Sequence, residues 1–207
     1  MRTTTLLAAV FLATPLAAQN APNLPADWKI RPDRAGVDLS TLSFETMPPG
    51  WHVTTGPSLI LWNPSMTATG NFTVTSEVFF FREKSRDTEA YGILVGGKDL
   101  EGEGQSYTYF MLRNDGKFLV KHRAGSATHN VADWTGHDAV ARHTAETTGA
   151  TAKNVLAVQA KADSVHFLVN GQQVGAWARA GIQVDGIVGF RVNHGLNLHF
   201  SKLEVAK

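Results

Sequence analysis

Ser106-Tyr107-Thr108-Tyr109-Phe110-Met111-Leu112-Arg113-Asn114-Asp115-Gly116-Lys117-Phe118-Leu119-Val120-Lys121-His122-Arg123 reads as two alternating runs folded about Asn114-Asp115-Gly116. A type I turn closed by a left-handed Gly116 sets Arg113 against Lys117, Leu112 against Phe118, Met111 against Leu119 and Phe110 against Val120. In that register Thr108, Phe110, Leu112, Phe118, Val120 and His122 share one side of the ribbon. Tyr107, Tyr109, Met111, Arg113, Lys117, Lys121 and Arg123 share the other. The first set predicts a core-facing side and the second a wet side carrying aromatic and cationic groups.

Working outward, the same period of two recurs. Phe72, Val74, Val78 and Phe80 alternate with Thr73, Thr75 and Glu77 in a long half-buried strand over Asn71 to Phe81. Shorter β-like runs cover Ser43 to Met47, Trp51 to Thr55, Ser58 to Trp62 and Tyr91 to Val95, with Pro48-Pro49-Gly50 and Gly56-Pro57 as turns. Beyond Asn154 the pattern continues through Val155 to Lys161, Val165 to Val169, Gln172 to Trp177, Gly186 to Val192 and Asn197 to Val205. Asn170-Gly171 is a two-residue hairpin turn, in which both residues must accept positive φ. Ala124 to Lys153 is irregular and is expected to hold a short strand near His129 to Thr135 or to carry binding function. No helical periodicity or internal repeat is present. The expected fold is all-β, a two-sheet antiparallel sandwich.

The start of the chain has a different character. Met1-Arg2, the apolar Leu6 to Ala13 and Thr14-Pro15-Leu16-Ala17-Ala18 have the layout of a cleavable export signal over residues 1–18, which predicts a secreted or periplasmic protein. Residues 19–42, rich in Pro, Asp and Asn, read as a linker or arm, and 43–207 as one β-sandwich domain. The apolar stretch is far short of the roughly 20 residues that span a bilayer, so no membrane span is expected. The chain has no cysteine, so its core must hold without disulfides. Its 19 basic side chains, one of them Arg2, stand against 18 acidic ones, a balance that gives no drive toward nucleic acid.

The order of these pieces resembles the concanavalin A-like, laminin-G-type jelly roll, and more narrowly the secreted 3-keto-disaccharide hydrolase-like domains. The resemblance rests on Gly70-Asn71-Phe72-Thr73-Val74, Tyr91-Gly92-Ile93, Tyr109 to Gly116, Val169-Asn170-Gly171, Gly186 to Gly195 and the terminal Phe200 to Val205. It covers residue 43 to the end and implies sugar-related biology, with a carbohydrate or glycan as partner. Glucanases of this architecture place acidic residues at alternate positions of one strand. The comparable strand here offers only Glu77, so no catalytic set is carried over, and a hydrolase acting on a keto-disaccharide stays as the alternative to a non-enzymatic binder. A structural module that meets a protein partner along a sheet edge is a third reading.

Candidate ligand-binding residues follow from the ribbon. Tyr107, Tyr109, Arg113, Lys121 and Arg123 would form a face on which a sugar ring lies against aromatic rings while cations donate to hydroxyls or carboxylates. An ordinary exposed sheet face is the plainer reading of the same residues. Trp134 and His137, in Trp134-Thr135-Gly136-His137-Asp138, would form a wall of the cleft. His194, in the Asn193-His194-Gly195 turn, is a further ligand-binding or acid–base candidate. The spacings of His129, His137 and His143 fit no zinc motif. No cofactor is expected; calcium is the alternative at Asp99-Leu100-Glu101-Gly102-Glu103-Gly104, though the spacing matches no known calcium loop.

Overall fold

The computed structural model describes residues 23–147 and 149–207; the expected export signal lies outside the described residues. Among the described residues fourteen strands form two seven-stranded sheets. Along the chain they are β1 (Lys29–Pro32), β2 (Ser43–Thr46), β3 (Trp51–Thr54), β4 (Leu59–Ala68), β5 (Phe72–Phe81), β6 (Ala90–Lys98) and β7 (Ser106–Arg113). They continue as β8 (Lys117–Ala124), β9 (Ala127–Gly136), β10 (Thr151–Ala160), β11 (Ser164–Val169), β12 (Gln172–Ala178), β13 (Gly186–Val192) and β14 (Asn197–Ala206). Sheet A has the order β1-β4-β13-β6-β7-β8-β9, and sheet B the order β12-β11-β10-β5-β14-β3-β2.

The β7–β8 hairpin takes the register that its turn chemistry dictates: Arg113 pairs with Lys117, Leu112 with Phe118 and Phe110 with Val120, and Gly116 has φ +85. Phe110, Leu112, Phe118 and Val120 face sheet B and join Phe44, Phe80, Phe167, Phe190 and Phe200 in the core between the layers. In β5 burial alternates strictly, leaving Glu77 on the outward face of sheet B. Asn170 and Gly171 both have positive φ, joining β11 to β12. Among the described residues no helix is long and apolar enough to cross a membrane.

The structure departs from the sequence reading in the N-terminal segment. Residues read as a loose arm include β1, which pairs with the edge of β4 from Lys29 opposite Trp62 to Pro32 opposite Leu59. Trp28 stacks on Phe190 with centroids 5.6 Å apart, and Ile30 and Leu42 are core residues. With only a few apolar positions, the segment carries no periodicity to announce this docking. In the irregular stretch after Ala124 the strand expected near His129 to Thr135 is present and longer, as the ten-residue β9. It forms the outer edge of sheet A, so much of it faces water and lacks the apolar alternation that marks a half-buried strand.

Candidate functional site

Sheet A has two faces, and the sequence of its central strands makes both apolar. In β4, Leu59-Ile60-Leu61-Trp62 runs without alternation, and in β6 the residues from Ala90 to Gly97 are all buried. Leu59, Leu61, Ile93 and Val95 belong to the inter-sheet core, while Ile60, Trp62 and Leu94 form a second cluster on the outward face with Tyr107, Tyr109, Met111 and Leu119.

Strand register orders this face in rows. Lys29, Trp62, Gly189, Leu94, Tyr109, Lys121 and Asn130 lie across the sheet from β1 to β9. The neighbouring row is Arg31, Ile60, Arg191, Gly92, Met111 and Leu119. Tyr107 and Arg123 form the next pair on one side, and Arg113 with Lys117 on the other. Gly92 and Gly189 keep the strands close: a Cβ at Gly92 would come 1.9 Å from the Phe110 carbonyl oxygen and one at Gly189 2.2 Å from that of Leu61.

The centre of this face is sealed. Tyr107, Tyr109 and Met111 are 1%, 8% and 2% exposed, which corrects the expectation of a wet aromatic surface. Part of the cause is the Asp99-to-Gly104 loop. Arg31 donates to the carbonyls of Leu100, at 3.0 Å, and Gly102, at 2.5 Å, and Lys29 pairs with Glu101 at 2.5 Å. Leu100 thereby joins the outward cluster. Asp99 closes the loop on itself, accepting from the Gly104 amide at 3.1 Å. Burial raises the hydroxyl pKa of both Tyr107 and Tyr109.

Charge is held close above this floor. Arg191, itself buried, donates to both oxygens of Asp33 at 2.5 and 2.6 Å. Burial pulls its pKa down, but the hydrogen bonds and charge of Asp33 outweigh that, so the guanidinium ends above its ordinary value. Arg113 lies over the Trp134 ring, 4.3 Å from its centroid, and also binds Asp115. Lys121 and Arg123 are half-buried along β8. A hollow of about 250 Å³ opens between Arg31, Asp33 and Ala35 on one side and Glu103, Gln105, Arg123 and Ser126 on the other.

Six of the sequence-derived candidates therefore share one face: Tyr107, Tyr109, Arg113, Lys121, Arg123 and Trp134. His137 stands beyond β9, where its Nδ1 accepts from the Ala139 amide at 3.1 Å, beside a polar hollow with Asp115, Asp138 and Arg142. His194 occupies the β13–β14 turn, 3.2 Å from both Glu89 and Arg86. It lines a hollow with Asp33, Arg34 and Pro57. Glu77 is on the outward face of the other sheet, where it is bridged to Lys153 at 2.5 Å. Its pKa is lowered, chiefly by that lysine. The sequence reading missed Trp62, Leu94, Arg31, Asp33 and Arg191; unbroken apolar runs in β4 and β6 were the available sign of a second apolar face.

No family model matches the chain, and no curated protein matches it. Solved structures do resemble it. The carbohydrate-binding module CBM66 from Bacillus subtilis superposes with a TM-score of 0.63 at 10% identity, covering 87% of this chain and 96% of that one. The fold is a concanavalin A-like jelly roll. A Bacillus licheniformis beta-glucanase has a TM-score of 0.60 at 10% identity, covering 90% and 95%. A Bacteroides ovatus GH16 protein, solved with a G4G4G3G product, has 0.58 at 6% identity, covering 86% and 94%. At these identities the likeness is one of architecture. On this jelly roll the outward positions of β7 are Tyr107, Tyr109, Met111 and Arg113, with no carboxylate among them.

Proposed function

We propose that this jelly roll is an exported saccharide-binding protein that holds a glycan at the rim of the outward face of sheet A without cleaving it. The observation that carries this reading is Trp134 set beneath Arg113 at the margin of that face, with Lys121 and Arg123 alongside on β8. An indole and a row of cations offer a sugar both a flat apolar surface and hydrogen-bond donors. The sealed tyrosines form the floor that fixes these groups rather than the contact surface itself. The structural neighbours, among them a carbohydrate-binding module and a GH16 protein in complex with a G4G4G3G product, support a glycan ligand.

A glycosidic general acid needs a raised pKa, and the lowered values of Asp38, Glu77, Asp115 and Glu146 leave these four unsuited to that role. The contact of His194 with Glu89 at 3.2 Å, beside a hollow that includes Asp33, favours the second reading of a hydrolase of the 3-keto-disaccharide type. Glycan-array binding and calorimetry of the mature protein, with Trp134→Ala and Arg123→Gln as controls, test the first. Binding that is insensitive to both substitutions overturns the site, and turnover of keto-sugar glycosides abolished by His194→Ala overturns the non-enzymatic reading.

A further inference from the structure

The cations on the outward face of sheet A are not equivalent. Lys29 is matched by Glu101, and Arg191 by Asp33. Arg113 and Lys117 share Asp115, while Arg31 is held by two carbonyls and lies 4.0 Å from Glu103. Among the described residues, Lys121 and Arg123 alone on this face have no carboxylate at ion-pair distance; the one side-chain hydrogen bond that ties either to the backbone runs from Arg123 Nε to the Gly125 carbonyl at 3.0 Å.

These two are also neighbours. They are separated by one residue on β8 and project from the same side, which sets their Cα atoms about 7 Å apart. Each stands directly opposite a tyrosine, Arg123 across from Tyr107 and Lys121 across from Tyr109. On their other flank, β9 presents Thr128 opposite Arg123 and Asn130 opposite Lys121, both neutral hydrogen-bonding groups. Arg123 also lines the 250 Å³ hollow, with the buried Gln105 beside it. Two like charges held side by side repel each other, and the acids around them, Asp33 and Glu103 in the same hollow and Asp133 bonded to Asn130, form no ion pair with either among the described residues.

We propose that this pair recognises a carboxylate on the bound saccharide, so that the ligand class is an acidic glycan, with Arg123 as the forked donor and Lys121 as the second charge. The assignment rests on the saccharide-binding reading above and adds the sign of the ligand. The guanidinium fork matches the two oxygens of a uronate. Asn130 and Thr128 provide groups for the hydroxyls of the adjoining ring.

The test is an array of uronate-containing oligosaccharides, pectic, alginate and glucuronoxylan fragments, each beside its methyl-esterified form, followed by calorimetry on the best pair. Acidic forms are expected to bind at least tenfold more tightly than their esters. That preference should shrink when salt rises from about 0.05 to about 0.5 M, and should vanish in Lys121→Gln/Arg123→Gln. Both side chains are half-buried at the rim, and thermal melts of the double variant check that it stays folded. Equal binding of acid and ester, or a preference that survives the double substitution in the folded protein, overturns the acidic assignment and leaves saccharide binding standing. Failure of every member of the array to bind overturns both.

Discussion

Asn154 donates from Nδ2 to the Tyr91 hydroxyl at 3.0 Å, inside the sealed space between the sheets. The same amide donates to the Ala141 carbonyl at 2.9 Å and accepts from the Ala141 amide at 2.9 Å and from Asn170 Nδ2 at 3.0 Å. Asn170 in turn donates to the Ala139 carbonyl at 2.8 Å. One buried side chain thus satisfies an irregular segment that places Ala139 and Val140 in the core. Asn154→Ala is expected to strand several of these groups and to cost about 3 kcal/mol in urea unfolding, against about 1 kcal/mol for Tyr91→Phe.

The three tyrosines of the chain, Tyr91, Tyr107 and Tyr109, are all buried. Burial pushes Tyr91 up to about 12, opposed by its hydrogen bond from Asn154, and raises the other two. A folded pKa above the unfolded value of about 10 means that this contribution to stability is complete below pH 10 and is lost as pH rises toward 12. Absorbance titration should show no phenolate in the native protein near pH 10, then a joint ionisation that coincides with loss of the native circular dichroism. Separate ionisation of one tyrosine at its ordinary value would contradict the packing described for it.

Acid should weaken the fold through histidine. Burial lowers the pKa of His122 and, despite its bond to the Pro49 carbonyl, of His199. Folded values below the unfolded one near 6.5 make the neutral rings stabilising above that pH, and the benefit is lost as pH falls through the lowered values. The unfolding midpoint should therefore begin to drop below about pH 6.5, and His199→Gln should flatten that part of the curve.

The Arg191–Asp33 pair is a test of the outward cluster. Asp33→Ala leaves a buried guanidinium without its partner; because the Asp33 side chain is about a third exposed, the expected loss is about 2 kcal/mol, smaller than for a fully enclosed pair. Arg191→Met together with Asp33→Ala should recover most of it in the same unfolding assay.

Trp134 is half-exposed at the edge of sheet A. Trp134→Ala should weaken saccharide binding on the order of tenfold, or about 1.4 kcal/mol, while shifting the unfolding midpoint little.

Most of the layer architecture was legible from period-two alternation, because β5, β7, β10 and β11 each bury one side against the other sheet and leave the opposite side polar or mixed. The Asn114-Asp115-Gly116 turn fixed its hairpin register without any tertiary information. What alternation cannot reveal is a strand buried on both sides: β4 and β6 look like short apolar runs whether or not something covers their second face. The aromatic–cationic character of the β7–β8 side could be read directly, but its closure depends on Arg31 and Lys29 reaching a loop some 70 residues away in sequence. No local pattern encodes that.

Strand β1 works as a seam. It gives Ile30 to the inner layer and two cations to the loop on the other side, and it covers the hydrogen-bonding edge of β4 from Leu59 to Trp62. A version of the protein trimmed to begin at Ser43 would therefore lose more than a tail: it would bare a strongly apolar strand edge and release the loop, a recipe for intermolecular sheet growth and poor solubility. Any recombinant form intended for ligand work should retain the chain from before Trp28.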